Sequence, residues 1–214
     1  TATTEICTLS LHDALPISDQ DICTNTANLA ATAPTQGTGV WTKFGINPAV
    51  ITDATLRTSS VTGLADNTSH GFTWTVSLGS CTTSDDVYIN NNRVLADAGS
   101  DQATCNSSIN LDGNDVSSFG ASGNWTLVTP GPAQISNASQ YNTLVTSLGN
   151  GLNIFRWTVT SAQGCTSTDD VGITYNFISA NAGLPQETCN SSVTMAAGNP
   201  APGKIGRASC RERV

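Results

Sequence analysis

The chain has 214 residues with 16 Asp+Glu against 8 Lys+Arg, a net charge of −8. That balance excludes a phosphate-tracking nucleic-acid binder and a partner of anionic membranes, both of which need clustered cations. It has 2 histidines and 7 cysteines, so catalysis by histidine has little material and disulfide chemistry has more.

Taken in chain order, the elements read as short strands. GVWTKF at 39 is the first clear one, followed by SSVTGL at 59. In GFTWTV at 71, Phe72, Trp74 and Val76 alternate with threonines. Period-two alternation of aromatic and β-branched residues marks a strand with one buried face. Next come Ile109 with Leu111, Trp125 with Leu127, and Val145. Phe155, Trp157 and Val159 then alternate with Arg156 and Thr158, and Val171 with Ile173 closes the series. Gly, Pro, Asn and Asp cluster between these segments, as turns require. No stretch has a helical period.

The elements repeat. SDQDICTNTANLAA at 18 returns as SDQATCNSSINLDG at 100 and, more loosely, as LPQETCNSSVTMAAG at 184. GFTWTVSLGSCTTSDDVYI at 71 returns as IFRWTVTSAQGCTSTDDVGI at 154. The markers agree on a period of about 82–84 residues, the signature of a tandem array. Two repeats, 18–95 and 96–179, are nearly complete, and 180–204 reads as the truncated start of a third. An all-β unit of this size, with close turn signals, predicts an immunoglobulin-like sandwich. The tryptophans Trp41, Trp74, Trp125 and Trp157 lie on the apolar faces of their strands and read as core rather than as a sugar-stacking platform.

ADAGSDQATC, GNWTLV, FRWTVTSAQGC and TSTDDVGI together resemble the PKD-like and Ig-like tandem repeats of large secreted surface proteins of gliding-type bacteria. The resemblance implies all-β sandwich modules that space, display or adhere at the cell surface, without catalysis of their own. The partners it implies are neighbouring repeats of the same chain, with surface glycans or host and substratum proteins as candidate ligands. It implies an extracellular or cell-surface location, no nucleic acid and no membrane insertion. The alternative is an accessory array, carbohydrate-binding in one version, of a secreted multidomain enzyme.

Cys23 and Cys81, then Cys105 and Cys165, give two cysteines per repeat, which reads as one disulfide each. Strand parity leaves an alternative open. If 133–136 and 142–148 are separate strands, the two cysteines of a repeat fall at opposite ends and cannot meet. Zinc is a poor fit, without a CxxC or a histidine cluster. The pairs Asp85–Asp86 and Asp169–Asp170, with Asp97 and Asp101 near the joint between repeats, are candidate calcium ligands, although their spacing matches no regular calcium loop. The plainer expectation is that they cap turns and that no cofactor is needed. The joints ADAG and ANAG are short, which predicts a semi-extended succession of units. No nucleophile or phosphate-binding motif is present.

Both ends differ in composition from the rest. Lys204, Arg207, Arg211 and Arg213 are half of the basic residues. Thr8 to Ile17 can be encoded as ACT CTT TCC CTA CAC GAC GCT CTT CCG ATC. The reverse complement, in another frame, encodes IGRASCRER, residues 205–213. The string resembles a short-read sequencing adapter, with Cys7 where the adapter would give Tyr. Residues 1–17 and 205–214 are therefore expected to be translated adapter. A signal peptide is a poorer reading of the start, which lacks a basic opening and carries Pro16 in its only apolar patch. Residues 18–203 keep 4 basic and 13 acidic residues, a net charge of −9.

Overall fold

The computed structural model describes residues 15, 18–178, 181–187, 189, 191–195 and 197–198. The expected truncated third repeat falls partly inside this range, and its described residues form no strand. The two expected adapter segments lie outside it, apart from Leu15.

The first repeat forms seven strands: β1 (Gln20–Ile22), β2 (Thr26–Ala30), β3 (Thr38–Phe44), β4 (Val50–Ile51), β5 (Thr58–Thr62), β6 (Thr68–Leu78) and β7 (Cys81–Asn91). They make one sheet in the order β1-β7-β6-β3 and a second in the order β2-β5-β4. β6 explains why this sequence makes a sandwich. His70, Phe72, Trp74 and Val76 are buried, and the residues between them are more exposed or lack a large side chain. Alternation places all four on the inner face of the pleat. Phe72, Trp74 and Val76 meet Leu29 and Val61 from the facing sheet in one core cluster with Trp41, Val87 and Ile89. β6 and β7 are joined by a two-residue turn, with Leu78 opposite Cys81 and Gly79 at φ +60°, a conformation glycine adopts without penalty.

The second repeat forms β8 (Gln102–Thr104), β9 (Ile109–Asp112), β10 (Ser122–Leu127), β11 (Gln134–Ile135), β12 (Asn142–Thr146), β13 (Gly151–Thr160) and β14 (Thr166–Tyr175). Its sheets run β10-β13-β14-β8 and β11-β12-β9, the same order as in the first repeat. Leu111, Trp125, Val145, Phe155, Trp157, Val159, Val171 and Ile173 are among its buried large residues. The segments 133–136 and 142–148 contribute two strands, paired antiparallel with Ile135 opposite Val145.

Each repeat opens with a strand to which the sequence reading assigned no residues. β1 runs parallel to β7, with Ile22 opposite Asn91. β8 runs parallel to β14, with Thr104 opposite Tyr175. This parallel edge decides where the cysteines go.

Hydrogen bonding follows the sequence repeats, whereas compactness divides the chain differently. One compact unit takes in the described part of Thr1–Asp97 with Asn114–Asn124 and Thr158–Asp169; the other takes in Ala98–Gly113, Trp125–Trp157 and the described part of Asp170–Val214. Within the first unit, Asn114 holds residues 95–97 at three points. Its Nδ2 donates to the Leu95 carbonyl at 2.9 Å, its Oδ1 accepts from the Asp97 N–H at 3.0 Å, and its own N–H donates to the Asp97 carbonyl at 2.8 Å.

Candidate functional site

The pairing of the cysteines corrects the expectation of one disulfide within each repeat. Cys23 is bonded to Cys165, with Cα atoms 5.4 Å apart and 142 residues between them in sequence. Both belong to the first compact unit. The parallel edge strand is the physical reason. Cys23 follows Ile22, which sits opposite the last residue of β7, whereas Cys81 is the first residue of that strand. β7 is 11 residues long, so roughly 33 Å at the usual rise separates its ends. A disulfide tolerates a Cα separation of up to about 7 Å. The second repeat has the same arrangement, with Cys105 just past the Thr104–Tyr175 pair and Cys165 just ahead of β14. Cys81 and Cys105 are disulfide-bonded as well. Cys189 is exposed and carries a free thiol.

The candidate calcium ligands are not brought into one cluster. Among the described residues, no three His, Cys, Asp or Glu side chains gather closely enough to hold a metal. Several of the carboxylates instead accept protein hydrogen bonds, and they do so at equivalent positions in the two repeats. Asp86 accepts from the Thr73 hydroxyl across the β6–β7 ladder at 2.6 Å. Its counterpart Asp170 is gripped by Arg156, with Nε–Oδ1 at 2.7 Å and Nη2–Oδ2 at 2.9 Å. Asp101 accepts the backbone N–H of Gly172 at 2.8 Å, and Asp19 does the same for Tyr88 at 2.8 Å. These two aspartates satisfy N–H groups of β14 and β7 just before the parallel pairing with β8 and β1 begins. Asp19 was not singled out in the sequence, although the shared SDQ at 18 and 100 marks it as the equal of Asp101. Asp85 accepts the N–H of Asp86 at 3.0 Å, and Asp97 is held through its backbone by Asn114. Removing divalent cations with EDTA is expected to leave the melting temperature unchanged; a drop reversed by calcium would restore the metal reading.

The Arg156–Asp170 pair shifts both groups. The Arg156 hydrogen bond and charge hold the Asp170 carboxyl below its ordinary 3.8, partly opposed by desolvation. The Asp170 hydrogen bond and charge raise the Arg156 guanidinium. A depressed carboxyl value stabilises the fold above the unfolded value and loses that contribution as pH falls through the folded one. Arg156→Ala is therefore expected to cost stability at pH 7, by a small amount since both side chains are exposed and such pairs are screened, and the cost is expected to vanish below about pH 4, where wild type has lost the same contribution. Urea melts at pH 3 and pH 7 read this directly.

His70, the only histidine outside the expected adapter segments, is fully buried. Its Nδ1 lies 3.2 Å from Asn47 Oδ1 and its Nε2 3.3 Å from the Ala65 carbonyl. The repeat offset places Asn153 at the same point of the second sandwich. Asn153 is also buried, and its Nδ2 donates to the carbonyls of Gly149, Gly151 and Ile173 while its Oδ1 accepts the Gly149 N–H. A buried polar side chain at this position ties the strand to the turn before it. Asn153→Leu is expected to destabilise the fold by about 3 kcal/mol, because it strands buried carbonyls and an N–H. Chemical denaturation measures the loss.

All four tryptophans are buried, at 1–2 % exposure. Trp41 and Trp74 pack with centroids 5.0 Å apart and rings tilted by 46°, and Trp125 and Trp157 with centroids 5.0 Å apart and rings tilted by 36°. The indole N–H groups of Trp41 and Trp125 donate to the carbonyls of Arg57 and Tyr141 at 3.3 and 3.1 Å. A buried ring offers no face to a sugar. A shallow cleft beside Trp74 is lined by Val40, Leu56 and Arg57 among others, and Arg57 is its only charged residue. No acid–base pair is assembled there.

Residues 98–175 match the family model described as "K319L-like, PKD domain". That match, with the sheet order of both repeats, makes them PKD-like and Ig-like sandwiches. Comparison with curated protein sequences gave no match. Among solved structures, the PKD domain from KIAA 1837 protein is 26 % identical over 43 % of this chain and 92 % of its own, at a TM-score of 0.33. A SusE-like surface located polysaccharide binding protein from Bacteroides thetaiotaomicron is 10 % identical, covering 79 % of this chain and 35 % of its own, at a TM-score of 0.36. The insect immune protein hemolin is 12 % identical, covering 78 % of this chain and 48 % of its own, at 0.44. Among the described residues no helix is long and apolar enough to cross a membrane.

Proposed function

We propose that this chain is a segment of a secreted or cell-surface bacterial repeat protein, acting as a structural spacer or adhesion stalk without catalysis of its own. One observation carries the reading. The polar groups that could have formed a site are instead used as framework, and they recur at equivalent positions in both repeats. Asp19 and Asp101 satisfy edge strands, Asp86 and Asp170 bridge strands, and His70 and Asn153 anchor turns. A catalytic or ligand site needs one distinctive constellation, whereas a scaffold reuses the same positions. The disulfide and the acidic, cation-poor composition suit an oxidising extracellular setting.

Retention on immobilised glycans tests the reading. The chain is expected to pass through unretarded. Saturable retention at micromolar concentration would favour the second reading, an accessory carbohydrate-binding array of a secreted enzyme. The resemblance of the SusE-like protein's fold is what keeps that second reading in view. Residues 1–17 and 205–214 are read as translated adapter on the codon match alone, and long-read sequencing of the source DNA across both junctions tests it. Loss of TLSLHDALPI and IGRASCRERV from the native DNA supports the reading, and their persistence overturns it.

A further inference from the structure

The cleft beside Trp74 measures about 490 Å³ and is lined by Pro34, Gly39, Val40, Leu56 and Arg57 together with the indole. Val40 and Leu56 are large apolar side chains left exposed. Arg57 has no carboxylate partner among the described residues; its Nη1 donates to the Ala31 carbonyl over a long 3.4 Å. Asp53, close by in sequence, is turned to Thr55, whose N–H and hydroxyl it accepts at 2.9 and 2.7 Å. Trp74 adds an independent signal. Its Nε1 is buried without a hydrogen-bond partner, the single such side-chain atom among the described residues. Buried donors are nearly always paired, so an unpaired one calls for an acceptor from elsewhere. The ring edge that carries this nitrogen lies against Gly39, where a Cβ would run into Cζ2, Cη2 and Cε2.

The frame of the cleft recurs, but its lining does not. Trp41 and Trp125 give their backbone N–H groups to the carbonyls of Ala54 and Ala138, and their indoles to those of Arg57 and Tyr141. These bonds make Val40, Leu56 and Arg57 the equivalents of Asn124, Gln140 and Tyr141. Two apolar side chains and a guanidinium in the first repeat are thus replaced by two amides and a phenol in the second. That is the distinctive constellation which a scaffold has no need of.

We propose that this cleft binds a small organic carboxylate with an apolar body. The body rests on Pro34, Val40 and Leu56. The carboxylate takes charge-assisted hydrogen bonds from the Arg57 guanidinium, and its second oxygen accepts from Trp74 Nε1. The nitrogen is shielded from solvent, so this last bond forms as residues 37–39 move aside. They lie at the free edge of their sheet, and Gly37 and Gly39 have no side chains to resist the move. The volume is that of a small-molecule site, and the cleft holds no acid to repel an anion. The proposal goes beyond the spacer reading and does not depend on it.

The test titrates phenylacetate into the isotope-labelled full chain and follows the assigned indole N–H resonances by NMR. The expected result is a saturable downfield shift of the Trp74 indole proton, with a Kd on the order of 1 mM. Arg57→Gln, at an exposed position, is expected to weaken binding at least about tenfold, and replacing the carboxylate by the amide in phenylacetamide to do the same. Leu56→Ser, also exposed, is expected to weaken it through the apolar wall. Absence of a saturable shift at Trp74 overturns the proposal, as does an affinity unchanged by Arg57→Gln or by the amide. Tighter binding of the peptide acetyl-Gly-Phe than of phenylacetate overturns the small-molecule ligand and points to the carboxyl end of a polypeptide.

Discussion

Replacing both Cys23 and Cys165 by serine lowers the stability of the two-repeat chain by about 5 kcal/mol on the chain-entropy model. The magnitude follows from the 142 residues the bond spans, since a cross-link removes more freedom from the unfolded chain the longer the loop it closes. Urea denaturation without reductant measures it. The pattern across single variants is more telling than the size. Cys23→Ser and Cys165→Ser should cost the same, because either opens the same bond. Had the bonds lain within repeats, Cys23→Ser would instead match Cys81→Ser. Matching losses for Cys23 and Cys81, with Cys165 different, would contradict the observed pairing.

Trp157→Ala is the other large effect, an expected loss of about 3–5 kcal/mol. Trp157 is 1 % exposed and packs against Trp125 with centroids 5.0 Å apart, so truncation removes one half of the large aromatic pair of the second core. The backbone beneath the pair is fitted to it. A Cβ on Gly113 would lie 3.0 Å from Trp125 and 3.2 Å from Trp157, so the site has little slack into which neighbours could relax. Near-ultraviolet circular dichroism and denaturant melts report the result. A loss below 1 kcal/mol would mean the pair is peripheral.

The sandwich was legible in the sequence because its signal is local. Phe72, Trp74 and Val76 alternate within one strand, and the same pattern returns at Phe155, Trp157 and Val159, so burial and register follow from period two alone. The opening strands were not legible. QDI and QAT are three residues each, too short to show a period, and their pairing with β7 and β14 is parallel and distant in sequence. The cysteine geometry depends on that pairing. Strand counting points to two separate strands at 133–136 and 142–148 as the obstacle but not to the parallel edge strand that resolves it. The carboxylates were harder for a different reason. Sequence displays a charge but not what satisfies it. Asp101 as a calcium ligand and Asp101 as the acceptor for the Gly172 N–H are identical on paper, and only the strand edge separates them. Arg156 and Asp170 form an ion pair where Thr73 and Asp86 form a hydrogen bond. The position is repeated while its chemistry is not.

The most direct test of a repeat pair closed by the Cys23–Cys165 bond is to pull the chain by its ends in single-molecule force spectroscopy, with and without reductant. Reduction frees the 142 residues between the two cysteines, about 500 Å of chain at roughly 3.6 Å per residue. The account predicts discrete rupture events in both conditions and a final extension at least about 500 Å longer in reductant. Equal extensions in the two conditions, or smooth stretching without rupture, would contradict it.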